Sequence, residues 1–322
     1  MAFLKERGKT LEFLKFLEGI RLPFLDVFFS LITHLGGEIL FILVGLIYYW
    51  CINKREGYFV LSVGFIGTLF NQFFKLLFRI PRPWVRDPGF TIVESAREGA
   101  TGYSFPSGHT QSSVGVFGSV ALLTKRRLIR VLCIAACILV PFSRMYLGVH
   151  TPLDVGVATL TALLLIFGLH PLIEKLTKCR HGMSVFLGCM LALSAAFLVF
   201  VLVFPFPSDL DAENYASGLK NAYKMVGCTA GMLLAYLVDE RYLHFETKAA
   251  PMAQVLKLLL GLIPLLAIKE GLRTPLSLLF GGSAAADAVR YFLLTAFAGA
   301  VWPITFPILG RFVSRISAKK DI

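Results

Sequence analysis

Charge is scarce in this sequence. Asp, Glu, Lys and Arg make up only 16% of its 322 residues, against roughly 25% in soluble domains. A chain so short of charge is neither intrinsically disordered nor an ordinary cytosolic enzyme. Cysteine is sparse too: six residues, with no Cys-x-x-Cys pair and no Cys/His cluster. Neither a disulfide framework nor a zinc site is indicated. Internal repeats, low-complexity stretches and a collagen period are all missing. The opening run MAFLKERGKTLEFLKFLEG lacks the unbroken apolar core of a signal peptide, so no cleavable leader is expected. What the chain has in quantity is apolar side chains, at 56% and a mean hydropathy of +0.72. A soluble core cannot hide that much, and the expected fold is an all-α polytopic membrane bundle.

A span needs about 20 mostly apolar residues. Nine segments qualify, near 36–52, 57–78, 107–124, 129–147, 153–173, 183–204, 217–238, 253–268 and 287–309. Ahead of them Leu11 to Leu35 is apolar but interrupted by Lys15, Glu18 and Arg21, and reads as an interfacial amphipathic helix. The net charge of +12, from 32 Lys+Arg against 20 Asp+Glu, is distributed unevenly. Lys54 and Arg55, Lys125 to Arg130, Lys175 to Arg180, Arg241, Lys248 and the C-terminal Arg311, Arg315, Lys319 and Lys320 fall on one side of a nine-span chain. The acidic turn of Asp209, Asp211 and Glu213 falls on the other. The positive-inside rule then puts the C-terminus in the cytoplasm and the N-terminus outside, although the basic arm Lys5 to Arg21 pulls the other way. Such basic loops explain the surplus charge without nucleic acid.

One outer loop resists this bias. Between about Arg79 and Ser107 it holds Arg79, Arg82, Arg86 and Arg97, with Lys75 just before it. Surface pairing with Glu94 and Glu98 would be the plain explanation, and a functional anion the sharper one. The following GYSFPSGHTQSS places Ser107 as a helix N-cap and Gly108 and His109 in the first turn, where free N–H groups favour an anion. Then SRMYLGVHTPLDV returns to the same face with Arg144 and His150. Pro152 suits a first helical turn, and Asp154 stands four residues after His150, within side-chain reach. A carboxylate on one ring nitrogen would leave the other free to attack or to take a proton.

Lys75-LLFRIP-Arg82-Pro83, Pro106-Ser107-Gly108-His109 and Ser143-Arg144-MYLGV-His150-TPL-Asp154 resemble the three signature motifs of the type 2 phosphatidic acid phosphatase superfamily, in order and spacing. The resemblance covers roughly Gly36 to Phe204, the family's six-span core, and divides the chain into an N-terminal segment 1–35, a catalytic core 36–206 and a three-helix extension 207–322. It implies that His150 is the nucleophile, forming a phosphohistidine, and that Asp154 orients it. His109 would protonate the leaving oxygen and then activate water. Lys75, Arg82 and Arg144 would hold the phosphoryl oxygens, with Ser107 and the Gly108 amide completing the cradle. Fixed cations suit phosphoryl transfer. No carboxylate cluster suitable for Mg²⁺ is evident, so neither a metal nor another cofactor is expected.

The implied function is an integral membrane phosphatase of a lipid phosphate or diphosphate: phosphatidic acid, phosphatidylglycerophosphate, a polyprenyl diphosphate such as undecaprenyl diphosphate, or sphingosine-1-phosphate. The RIPRP and Y-S-x-P-S segments are similar to sphingosine-1-phosphate phosphatases. Nine spans with an outside N-terminus are similar to glucose-6-phosphatase, a soluble-ester enzyme that lacks the aspartate found here as Asp154. A phosphate-lipid transporter would need ionisable groups along a path through the membrane. Outside the motifs Lys224 and Lys257 are the main charges within spans, both near a span end, too few for a path. Vanadium haloperoxidases share the phosphate cradle but are typically soluble. The expected partners are the bilayer and a membrane lipid. The expected location is a bacterial plasma membrane with the site on its outer face. In the extension, Gly227-x3-Gly231 suggests a tight helix contact, Asp287 and Arg290 an intrahelical pair, and Lys269, Glu270 and Arg273 a solvated turn.

Overall fold

The computed structural model describes residues 2–207 and 211–320, so Asp209 of the acidic turn lies outside the described residues. Among the described residues there are helices and loops and no strand. The helices are α1 (Ala2–Gly19), α2 (Pro23–Thr33), α3 (Glu38–Ile47), α4 (Lys54–Phe78), α5 (Pro83–Arg86), α6 (Gly108–Leu123) and α7 (Arg127–Tyr146). They continue with α8 (Pro152–Leu176), α9 (Gly182–Val203), α10 (Ala212–Val238), α11 (Pro251–Leu266), α12 (Arg273–Leu279), α13 (Ala285–Ala296) and α14 (Phe306–Lys320). Proline marks several starts. Pro23, Pro83 and Pro251 occupy the first helical turn, where a missing N–H costs nothing.

All nine expected spans are helical, and six stretches are long and apolar enough to cross a bilayer on those grounds alone. They are Lys54–Arg86, Arg127–Tyr146, Pro152–Leu176, Gly182–Val203, Pro251–Leu279 and Ala285–Ser314, and Pro23–Gly36 with Glu38–Ile52, bent by 49° between them, would make a seventh. Only 22% of the apolar window of α8 is buried, and Leu164 and Phe167 on it are exposed. Apolar surface on that scale belongs in lipid. The protein is an integral membrane protein. Two expected spans fall short for visible reasons. Helix α6 has only 16 residues, and its Thr110, Gln111, Ser113 and Ser119 are buried. Helix α10 carries Glu213, Lys220 and Lys224.

The N-terminal segment is two helices rather than one. Leu22 is extended (φ −134°, ψ 142°), as the residue before a proline prefers, and the chain turns there.

Cα packing divides the chain into two compact units, each assembled from separated stretches. The first comprises residues 1–44, 60–171 and 207–218. In it, Leu14 and Leu17 of α1 are buried with Phe90 and Ile92. Phe29 of α2 is buried with Tyr146, Leu147 and Val149, its ring 4.5 Å from that of Tyr146. Arg21 donates to the Tyr146 and Thr91 carbonyls at 3.1 and 2.9 Å, and Lys15 meets Asp87 at 2.8 Å. The turn after α7 needs Gly148. Its φ of +81° suits only glycine well, and a methyl group there would lie 3.0 Å from the Phe90 ring.

The second unit comprises 45–59, 172–206 and 219–322. Trp50 donates to the Ala298 carbonyl at 2.9 Å and Trp302 to the Lys257 carbonyl at 3.0 Å. The buried Lys257 ammonium donates to the Thr247 carbonyl at 3.0 Å and lies 4.5 Å from the Phe306 ring centre. Asp287 and Arg290 form the expected intrahelical pair, and Lys269 meets Glu270 at 3.5 Å. Gly227 and Gly231 face α13 of the same chain. A methyl group at Gly227 would lie 2.2 Å from the Ala288 carbonyl oxygen, too close without moving backbone. Gly227→Ala should therefore cost about 1–3 kcal/mol and lower the melting temperature in detergent. Gly188→Ala on α9, where a methyl meets nothing within 4 Å, should be harmless. A wild-type melting temperature for Gly227→Ala would refute the close approach of α10 and α13.

Candidate active site

Three segments of the first unit, 75–82, 107–109 and 144–154, bring the motif residues together. Lys75 sits near the end of α4, Arg82 just before α5, His109 in the first turn of α6 and Arg144 near the end of α7. His150 lies in the turn between α7 and α8, and Asp154 in the first turn of α8. Lys75, Arg82, Ser107, Arg144, His150 and Asp154 are all buried, and His109 is partly buried.

Each position has a local cause. Ser107 is extended (φ −72°, ψ 116°) and caps α6, its Oγ accepting from the Thr110 N–H at 3.4 Å. Accepting leaves its hydroxyl proton free to be donated elsewhere. Backbone ties then join motif to motif. The Ser107 N–H donates to the Asp154 carbonyl at 3.1 Å, and the Val149 and His150 N–H groups donate to the Arg144 carbonyl at 3.1 and 3.2 Å.

Arg82 is nearly saturated. Its Nε donates to Gly102 O at 3.1 Å, Nη2 to Thr101 O at 2.8 Å, and Nη1 to Val149 O and His150 Nε2, both at 2.9 Å. That uses four of five N–H donors. Lys75 donates to the Tyr103 carbonyl. The loop 101–103 is thus pinned by its carbonyls to the cations it encloses.

The contact between Arg82 and His150 fixes a tautomer. A guanidinium can only donate, so His150 Nε2 is the acceptor and carries no proton. The proton of the neutral ring is on Nδ1, which faces Asp154 Oδ2 at 3.5 Å. Asp154 Oδ2 also accepts from Ser104 Oγ at 2.6 Å and from the Thr151 N–H at 2.8 Å. Burial first, then Arg82, Arg144 and Lys75, push the His150 imidazole well below its usual value. The ring is held neutral, with its Nε2 lone pair turned to the cations.

Arg144 differs from Arg82. Its Nη1 donates to Thr33 Oγ1 at 2.7 Å, while Nε and Nη2 are buried with no partner. Three buried cations face one buried carboxylate, Asp154, which leaves unbalanced positive charge and an open guanidinium edge. Buried donors of this kind are costly unless something occupies them. An anion with several oxygens fits.

The other loop cations have different fates. Arg97 pairs with Glu94 at 2.7 Å, which is the surface reading of that residue. Arg79 adopts φ 48° and is partly exposed, with a buried, unpartnered Nη1. Sequence reasoning missed Ser104, Thr151 and Thr33. Thr151 and Asp154 cap the start of α8 reciprocally, the Thr151 N–H donating to the carboxylate and the Asp154 N–H to the Thr151 hydroxyl, a pairing that Thr-x-x-Asp signals in sequence. Ser104 also lies beside a recognised motif, but no spacing rule singles out its hydroxyl. Thr33 lies 111 residues from Arg144, and nothing in the sequence links the two. Among the described residues no group of three or more His, Cys, Asp or Glu could hold a metal ion.

The sequence that builds this cationic cradle matches known protein families. The PAP2 superfamily model matches residues 55–178, which include all three motifs, and the PAP2 superfamily phosphatase transmembrane extension matches residues 223–313. The chain belongs to the PAP2 superfamily. It is similar to a probable sphingosine-1-phosphate phosphatase of Dictyostelium discoideum, 27% identical over 271 residues, covering 80% of this chain and 63% of that one. Phosphatidylglycerophosphatase B of Bacillus subtilis (strain 168) is 28% identical over 175 residues, covering 50% of this chain and 82% of that one. Undecaprenyl-diphosphatase BcrC of the same organism is 31% identical over 104 residues, covering 32% and 51%. The chain thus spans less than two thirds of the Dictyostelium relative's length. No solved structure matches it.

Inorganic phosphate or orthovanadate should stabilise the protein in detergent, by about 2.7 kcal/mol at a hundredfold excess over Kd. Arg144→Ala should abolish that shift, and an unmoved wild-type melting temperature would rule out the anion site. The anion-free protein should also respond to pH. A folded imidazole that resists protonation binds fewer protons than the unfolded chain, so its contribution is lost as pH falls below the ordinary 6.5. Melting at about pH 5.5 should lie below that at about pH 7.5, and His150→Gln should narrow the gap.

Proposed function

We propose that the protein is an integral membrane phosphatase that removes phosphate from a lipid phosphate or diphosphate through a phosphohistidine. The observation that carries this reading is the buried Arg144 edge, two nitrogens without partners, in the same cradle as a histidine whose Nε2 is unprotonated. Arg144, Arg82 and Lys75 hold the phosphoryl oxygens, and the free Ser107 proton and Gly108 N–H complete the cradle. As the phosphoryl group arrives, the Arg82 N–H now on His150 moves to a phosphoryl oxygen and frees the lone pair. His150 Nε2 then attacks phosphorus in line while the P–O bond to the lipid breaks, and His109 gives its proton to the departing oxygen. Nδ1 keeps its proton, and Asp154 balances the charge that the ring acquires. In the second half, His109 takes a proton from water, the water oxygen bonds to phosphorus, and the P–N bond breaks to release phosphate. Catalysis is positioning and charge stabilisation by fixed cations, so we propose that it needs no metal.

The lipid substrate is supported by the membrane setting. The site is built at the end of α4 and the start of α8, beside long apolar helices, where a headgroup can enter while its tail stays in the bilayer. The three relatives are named for sphingosine-1-phosphate, phosphatidylglycerophosphate and undecaprenyl diphosphate, and these lead the candidates with phosphatidic acid. We further propose nine spans, on the hydropathy of the sequence, in a bacterial plasma membrane, with the site on its outer face and a cytoplasmic C-terminus, an orientation that the distribution of basic residues supports.

Phosphate release by purified protein in EDTA, from those four lipids and glucose-6-phosphate, tests the reading. Release should require His150, with His150→Ala folded and inactive. Best release from glucose-6-phosphate would favour a soluble ester. No release from any substrate by folded wild type would favour phosphate-lipid binding or transport. Arg144→Lys should lower kcat/KM by about 100-fold or more, because an ammonium cannot replace a planar fork. Rates near wild type would remove Arg144 from the phosphate.

A further inference from the structure

Thr33 closes α2 and lies outside both matched family segments. It is 6% exposed, and its Oγ1 accepts from Arg144 Nη1 at 2.7 Å. The choice of nitrogen matters. In a guanidinium the Nε and Nη2 hydrogens point the same way and form the two-pronged edge that meets two oxygens of one anion. Nη1 is the remaining corner. Holding Nη1 stops the group from rotating or sliding while leaving the Nε–Nη2 edge whole, and those are the two nitrogens without partners.

Thr33 is itself firmly held. On α2, Asp26, Phe29 and Thr33 recur at the spacing of one helical face. Tyr146 Oη donates to Asp26 at 2.9 Å and accepts from the Leu22 N–H at 3.2 Å. The Phe29 ring sits 4.5 Å from that of Tyr146 and 5.4 Å from that of Phe142. One side of α2 is therefore fixed to α7 on both flanks of Arg144. Three residues beyond Thr33 the same segment reaches the second histidine, since a methyl group at Gly36 would lie 2.7 Å from the His109 carbonyl oxygen.

We propose that Thr33 is a positioning residue for Arg144, so that the end of α2 forms part of the active site. The inference rests on the phosphatase reading above for its kinetic consequences, but the geometry it invokes also governs the binding of a free anion.

The test compares Thr33→Val, which keeps the shape and removes the acceptor, with Thr33→Ser, which keeps the hydroxyl. On the lipid phosphate that the wild type hydrolyses best, Thr33→Val should lose about tenfold in kcat/KM, the scale of one hydrogen bond to a charged group. Inhibition by orthovanadate should weaken in parallel, and Thr33→Ser should stay within about twofold of wild type. Wild-type kinetics in Thr33→Val would overturn the proposal. So would a loss in Thr33→Ser as large as or larger than that in Thr33→Val, which would show that the methyl group serine lacks matters at least as much as the hydroxyl. Should Thr33→Val not fold, Thr33→Ala carries the same comparison against Thr33→Ser. If the wild type hydrolyses nothing, the phosphatase reading fails by itself, and the same variants are then compared by the melting shift that orthovanadate produces.

Discussion

Unbalanced positive charge, held away from water, is the condition that shapes the first unit. Three cations and one carboxylate are buried within a few residues of one another in space. In a low dielectric such a group repels itself and loses its hydration. The chain meets that cost with backbone oxygen. Gly102, Thr101 and Val149 present carbonyls to Arg82, and Tyr103 presents one to Lys75. The irregular loop after α5 and the glycine-dependent turn after α7 are needed to aim those carbonyls. Carbonyl dipoles soften the charge without cancelling it, so the site keeps its appetite for an anion. Paired carboxylates would have neutralised the cations and left nothing to bind.

The same logic explains what could be read from the sequence. Charges that defy the positive-inside bias stand out against an apolar background, and this makes Lys75, Arg82 and Arg144 conspicuous in the sequence alone. The Ser107 cap and the four-residue step from His150 to Asp154 follow local helix geometry and are equally plain. Carbonyl ligands have no sequence signature, because every residue carries one. Hydroxyl supports such as Ser104 and Thr33 are hidden for a related reason, since serine and threonine are common and their partners are distant in the chain.

The spans are legible where helices meet lipid and obscure where they meet protein. Helices α7, α8 and α9 are apolar on most sides, and hydropathy bounds them to within a few residues. Buried α6 can carry Thr110, Gln111, Ser113 and Ser119 because its neighbours are protein, and hydropathy underrates it. At the N-terminus, the charges Lys15, Glu18 and Arg21 suggest a helix lying at the interface. All three have protein partners: Lys15 pairs with Asp87, Glu18 accepts from the Thr91 N–H and hydroxyl, and Arg21 donates to the Thr91 and Tyr146 carbonyls. A charged residue in an apolar run can be bound for water or for a carbonyl, and composition does not distinguish them.

The interleaving of the two units has a consequence for biosynthesis. The last stretch of the first unit ends at Gly218, whereas the second begins at Gly45 and ends at the C-terminus. Ordered by synthesis, every side chain of the cationic cradle has emerged well before the second unit can be finished. Trp50 leaves the ribosome 248 residues ahead of Ala298, whose carbonyl it needs. Lys257 likewise must wait for Phe306. The chain therefore passes through a stage in which the cationic cradle has all its parts while a tryptophan and a lysine of the second unit lack their final neighbours.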